Sequence, residues 1–176
     1  MIKLKNILYE ERKLRIFDFD DTLVKTNSYI YVTHKNGTKS KLTPGEYAKY
    51  KSKVGDEFNY SDFHSVKEPT EIKAMKKVFT RIANAKGRRS VVILTARQMY
   101  KPIRKFLKDA GYGTIYVVAL GSSDPKAKSN WIEDKIKRGY TDIVFWDDSV
   151  KNVNAVKELK KKYQSIKLQS KLVNYF

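Results

Sequence analysis

Four short apolar runs set the tightest limit on what this chain can fold into. They are LRIFDF (14–19), SVVILT (90–95), TIYVVAL (114–120) and DIVFW (142–146), and a weaker fifth, QSIKLQ (164–169), follows. Apolar side chains at successive positions describe strands covered on both faces, as in a parallel sheet. The segments between the runs carry helical periodicity. Over 70–86, Ile72, Met75, Phe79 and Ile82 recur at helical spacing, with Gly87 as a stop. Over 101–110, Pro102 suits a first turn, and Ile103, Phe106, Leu107 and Ala110 make a face before Gly111. Asp124 and Pro125 open a helix that runs to 138 and closes at Gly139, and Ser149 caps another carrying Val153, Val156 and Leu159. Strands alternating with helices predict an α/β domain: a Rossmann-like, doubly wound parallel sheet with right-handed crossovers.

One stretch interrupts the alternation. Residues 24–69 are too many for a simple strand-to-helix connection. Within them, SYIYVTHKNGTKSKLT alternates around Asn36-Gly37, a pair that favours a type I′ hairpin turn, and TPGEYAKYKSK adds a short helix. The chain therefore divides into a core of 1–23 and 70–176 and a small insertion, 24–69, which follows the first strand and leans over the strand ends.

A length of 176 residues fits one domain with such an insertion. No run of about 18 apolar residues occurs, so neither a membrane span nor a membrane partner is expected. The opening MIKLKNILYEERK is too broken by charge for a secretory signal, and a cytoplasmic location is expected, that of the host for a viral chain. The absence of cysteine excludes disulfides and thiolate metal sites. Thirty-seven basic residues against 19 acidic ones give a formal net charge of +18, a field that draws in phosphorylated ligands and polyanions. Of the basic residues 29 are lysine, spread along the whole chain, a pattern that an A/T-rich genome also produces.

The acids are not spread in this way. Asp18, Asp20 and Asp21 follow the first apolar run, and Asp147 and Asp148 follow the fourth. Like charges repel, so folding alone has little reason to gather them; a bound cation or a reaction supplies one. Ligands of open α/β sheets bind beyond the carboxyl ends of the strands. Thr95 ends the second run there, and Lys126 and Lys128 begin the helix that feeds the fourth. Carboxylates so placed form an oxygen-ligand site suited to Mg2+, which commonly takes one or two carboxylates, water and a substrate phosphate.

In these motifs the chain resembles the haloacid dehalogenase superfamily of phosphohydrolases. FDFDDTLV matches that family's first motif, Asp-x-Asp-x-Thr after an apolar strand, with Asp21 where glycine is frequent. VVILT matches the second motif, a lysine the third, and IVFWDD the fourth. The insertion stands where the family carries one type of cap. The resemblance implies that Asp18 is the nucleophile and forms an aspartyl-phosphate. It implies that Asp20 serves as general acid and then base, and binds the metal through its backbone carbonyl. Thr95 would hydrogen-bond the phosphoryl group, and a lysine would neutralise charge and orient Asp18. Asp147 would ligate Mg2+ with support from Asp148. The chain is also similar to the phosphatase domain of phage polynucleotide kinase-phosphatase and to phage-encoded RNA-repair phosphatases. ILTARQ adds Arg97 as a substrate-binding candidate, with Lys126 another. The lysine 19 residues before Asp147, the separation found in that domain, is Lys128.

The expected activity is Mg2+-dependent phosphomonoester hydrolysis on a nucleic-acid end or a nucleotide, with a small sugar or metabolite phosphate as the alternative substrate. Two non-enzymatic alternatives are a phospho-acceptor module and a nucleic-acid binder. In a phospho-acceptor of the receiver type the acidic pair precedes the hydroxyl and the lysine; here it follows them. For a polymer, Lys25, Lys35, Lys39 and Lys41 of the insertion are candidate phosphate contacts, and Tyr29 or Tyr31 a stacking face.

Overall fold

A computed structural model describes residues 11–47, 49–85 and 91–174. Strand β1 (Lys13–Phe17) leads into the insertion. This holds β2 (Val24–Lys25), β3 (Ile30–Thr33), β4 (Lys39–Leu42), α1 (Pro44–Tyr47), β5 (Glu57–Asn59) and a 3₁₀ turn (Ser61–His64), and β6 (Thr70–Glu71) follows it. Helix α2 (Lys73–Asn84), β7 (Val91–Thr95), α3 (Lys101–Asp109), β8 (Tyr116–Ala119), α4 (Pro125–Lys137), β9 (Asp142–Asp147), α5 (Val150–Lys162) and β10 (Lys167–Leu172) complete the chain.

Five strands form a parallel sheet in the order β10-β9-β1-β7-β8. The chain moves outward from β1 to β7 and β8, then α4 carries it back to β9 on the other side of β1. The crevice between β1 and β9 is therefore the point where the connections diverge, the place such sheets bind ligands. Successive side chains of β9 point to opposite faces. Val144 and Trp146 join one core with Phe17, Ile93, Met75 and Phe79 of α2, and Ile103 and Leu107 of α3. Ile143 and Phe145 join the other with Ile16, Leu94, Ile132 and Ile136 of α4, and Val156 of α5. Trp146 stacks on Phe17, with ring centroids 4.4 Å apart. This is a mixed α/β, Rossmann-like architecture with helices on both faces. Among the described residues no helix is long and apolar enough to cross a membrane.

The helix starts follow their caps. Asp124 accepts from the Lys126 amide ahead of Pro125, and Ser149 from the Asn152 amide. Three boundaries differ from the sequence reading. Thr70 and Glu71 pair with β2 as β6, so α2 starts at Lys73. The last strand lies three residues later than QSIKLQ, because as an edge strand β10 buries little beyond Leu168 and its pattern is weak. The Asn36-Gly37 hairpin is not a two-residue type I′ turn. The His34 amide bonds the Thr38 carbonyl, the Gly37 amide bonds the His34 carbonyl, and only Gly37 has positive φ (+81°). That is a three-residue loop ending in a left-handed glycine, held by Asn36 Oδ1, which accepts from the Thr38 amide and hydroxyl. Gly87 and Ser90 lie outside the described residues.

Within the insertion β3 is central, flanked by β4 and β5 in an antiparallel sheet. Ile30 and Val32 are buried on one face, while Tyr31 lies across from Lys41 and Asn59 on the other. Buried Asp62 accepts from the Tyr29 amide, the Tyr31 hydroxyl and the Lys67 ammonium, and so ties the sheet to the 3₁₀ turn. That turn and the residue after it reach the core through Arg97, which donates to the Phe63 and Ser65 carbonyls.

Candidate functional site

The crevice between β1 and β9 is closed by one lysine. Lys128 occupies the first turn of α4, four and eight residues before Ile132 and Ile136, so it continues the apolar stripe that docks α4 on the sheet. Its ammonium is buried and donates to Asp18 Oδ1 and to Asp147 Oδ2, each at 2.7 Å. Asp18 is the first residue after β1, and its amide bonds the Trp146 carbonyl, which locks it to β9. Asp147 ends β9 with no exposed side-chain surface. Its oxygens also take the Ser149 amide at 2.8 Å and the Asn152 side-chain amide at 3.0 Å.

Asp148 stands beside this pair, half-buried. Its amide donates to Thr22 Oγ1, and the Thr22 hydroxyl lies 3.4 Å from Asp18 Oδ2 and 3.3 Å from Asp148 Oδ1. Oxygens of Asp18, Asp147 and Asp148 all fall within 4.8 Å of one another and could hold a metal ion. Burial, opposed by Lys128 and reinforced by Asp147 and Asp148, raises Asp18 well above the usual carboxylate range. Burial and then Asp147 push Asp148 up to about 7. Burial alone would lower Lys128, but Asp18 and Asp147 outweigh it and hold the ammonium protonated. Three acids share one lysine in a site largely shut from water, an imbalance that Asp18 and Asp148 meet by holding their protons more tightly. A divalent cation on hard oxygen ligands removes that imbalance, and the donor set fits one.

The raised Asp148 has a consequence for stability. The unfolded chain gives up this proton near the ordinary carboxylate value and the folded protein near pH 7, so the folded state binds more protons in between and stability falls as pH rises. Without divalent cation, the melting temperature is expected to decline between about pH 5 and 7, and Asp148→Asn to flatten that decline. An equal decline in the variant would assign it to other groups.

Asp20 is not one of the three clustered acids. Both its oxygens are bound by Arg97, Nε to Oδ2 at 2.8 Å and Nη2 to Oδ1 at 2.7 Å, and Thr26 Oγ1 adds a bond to Oδ1 at 3.1 Å. Arg97, expected to meet substrate, is instead buried and committed to Asp20 and the two insertion carbonyls. A guanidinium presents a rigid fork, and a carboxylate and two carbonyls occupy it here. Lys126 is exposed on the far side of α4 from Lys128; its amide donates to Asp124 and its carbonyl accepts from the Ser129 hydroxyl. Thr95, at the end of β7, is buried and accepts from the Arg97 amide at 3.2 Å; among the described residues nothing takes its own proton. Asp21 adopts φ +55°, the left-handed region that glycine favours and aspartate tolerates.

Two contributors escaped the sequence reading. Thr22 was visible inside DFDDT, yet its link between Asp18 and Asp148 depends on β9 lying beside β1. Asn152 gave only the signal of an amide in the turn after a Ser149 cap. Comparisons with protein-family models, with curated proteins and with solved structures find no match to this chain.

Proposed function

We propose that the chain is a Mg2+-dependent phosphomonoesterase of the haloacid dehalogenase type. The observation that carries this reading is the buried Lys128 bridge between Asp18 and Asp147, at the crevice where the sheet connections diverge, with Asp148 alongside. A structural ion pair needs one acid per lysine; this one gathers three. Asp18, Asp147 and Asp148 are the residues that would hold Mg2+, which would neutralise phosphate charge so that an anionic nucleophile can approach.

In the proposed reaction an Asp18 carboxylate oxygen attacks phosphorus and the ester oxygen leaves with a proton from Asp20, giving an aspartyl-phosphate. Asp20 then takes a proton from water, whose oxygen attacks phosphorus and returns the Asp18 carboxylate and inorganic phosphate. Asp20 Oδ1 already accepts twice, from Arg97 and Thr26, whereas Oδ2 accepts once. A carboxylate oxygen has two lone pairs, so Oδ2 is the atom with capacity for this proton. The Thr95 hydroxyl and the Lys128 ammonium would bind the transferring phosphoryl oxygens.

The finer reading is a nucleic-acid end or nucleotide as substrate. It is favoured by the net charge of +18 and by the open sheet face of the insertion, where Lys41 lies 4.3 Å over the Tyr29 ring beside exposed Tyr31. The experiment is a phosphatase panel with Mg2+, comparing 3′- and 5′-phosphorylated oligonucleotides, mononucleotides and sugar phosphates. Higher kcat/KM on oligonucleotides supports this substrate class; equal efficiency on sugar phosphates favours a small-molecule enzyme. No turnover of any ester would sink the phosphatase reading.

Asn152→Ala tests the metal assignment. Groups that orient a ligand from behind commonly contribute 10- to 100-fold to metal affinity. The variant is expected to bind Mg2+ about 10- to 100-fold more weakly by calorimetry while melting within a few degrees of the parent. Unchanged affinity would remove Asp147 from the ligand set.

A further inference from the structure

The positive charge of this protein is not neutralised evenly. On the α4–α5 face, five basic side chains have acidic partners: Lys135 and Arg138 meet Asp134, Lys137 and Lys162 meet Glu133, and Lys161 meets Glu158. The α2–α3 face differs. Lys101, Arg104, Lys105 and Lys108 recur at helical spacing along one exposed side of α3, and Lys105 alone has a carboxylate, Asp109 at 2.6 Å. Neighbouring α2 adds exposed Lys73, Lys77 and Arg81, which have no acidic partner among the described residues. The two helices share one core, and Thr80 of α2 bonds Tyr112, just beyond α3, at 2.7 Å.

The four α3 side chains line a shallow depression of about 470 Å3 that ends at Gly113. A Cβ on Gly113 would stand 3.4 Å from Lys108 Cγ, so the glycine leaves the floor low. At the other end, Met99 and Tyr100 are exposed in the loop after β7, on the sheet edge that carries Thr95. The stripe thus runs from the strand ends down the side of the molecule. From Lys101 to Lys108 the helix rises about 10 Å, long enough to follow a short run of backbone phosphates.

We propose that this face of α3 binds the backbone of a single-stranded nucleic acid, with Tyr100 stacking on an unpaired base at the end nearest the sheet edge. Lysines and an arginine without counter-ions attract a polyanion and release its condensed cations. An exposed aromatic ring at one end selects a strand whose bases are free to stack. The proposal goes beyond the phosphatase reading and does not depend on it, because binding is measured without turnover.

The test is fluorescence anisotropy of the full chain with a labelled, unphosphorylated 12-nucleotide single strand, from 50 to 200 mM salt. Each backbone contact contributes about −0.7 to the slope of log affinity against log salt. Lys101→Gln/Arg104→Gln/Lys108→Gln is expected to flatten that slope by about 2, so that the parent loses about 20-fold more affinity than the variant over this range. Lys137→Gln/Lys161→Gln/Lys162→Gln, with the same change in net charge, is expected to leave the slope unchanged. Tyr100→Ala is expected to weaken binding about 5- to 150-fold, and Tyr100→Phe to restore it. Equal losses from both triple variants would mean generic charge, and no loss from the α3 variant would remove the site. Binding of phosphatidylserine vesicles without binding of the oligonucleotide would make the face a membrane contact and overturn the proposal.

Discussion

Asp18→Asn is expected to lower phosphoester turnover by about 10⁴-fold or more, because no other group of the proposed reaction can form the bond to phosphorus. The same substitution is expected to raise stability when divalent cation is absent. Asparagine keeps an oxygen for the Lys128 ammonium but withdraws one of three carboxylates from a buried site that holds a single positive charge. With saturating Mg2+ the order should reverse, since the variant has lost a candidate ligand. The pair of melting temperatures, with chelator and with Mg2+, therefore crosses between parent and variant. Most of the activity surviving in Asp18→Asn would end the aspartyl-phosphate mechanism. A variant less stable in both conditions would mean that Asp18 supports the fold and not a cation.

Much of this centre could be read along the chain because strand ends are local features. Asp18, Thr95 and Asp147 each terminate a run of apolar residues, and the sheet brings those ends to one edge whatever lies between. Lys128 was selected over Lys126 by its separation from Asp147. The docking stripe gives the physical reason, since a lysine four residues before Ile132 points where Ile132 points. The contacts of Arg97 were hidden for the opposite reason. Its partners are Asp20, 77 residues earlier, and two insertion carbonyls, and no local pattern announces a contact made by backbone oxygens of a distant turn. The hairpin shows the same limit at short range. Asn-Gly favours a two-residue turn, but the Asn36 side chain satisfies Thr38 and a wider loop results. Edge strand β10 was misplaced because a strand with one well-buried side chain carries little apolar pattern.

Lys128→Ala is expected to be the most damaging single change in stability and to lower turnover about 10²- to 10³-fold. Removing one partner of a buried ion pair typically costs about 3–5 kcal/mol, because the other charge is left unpaired. Here the ammonium serves two buried acids, so its loss strands both. Lys126→Ala removes a solvated charge one turn-half away and is expected to change stability by less than about 0.5 kcal/mol. The stability loss has a signature that separates charge from packing. If stranded carboxylates cause it, Asp147→Asn added to Lys128→Ala should restore part of the stability, and a double-mutant cycle should show coupling of about 1–3 kcal/mol. Mg2+ should also stabilise Lys128→Ala more than it stabilises the parent, since three acids then face the cation without a competing ammonium. If the two losses simply add and Mg2+ stabilises parent and variant alike, Lys128 is a packing residue. Damage from Lys126→Ala exceeding that from Lys128→Ala would move the phosphate contact to the exposed side of α4 and leave the buried bridge without a catalytic part.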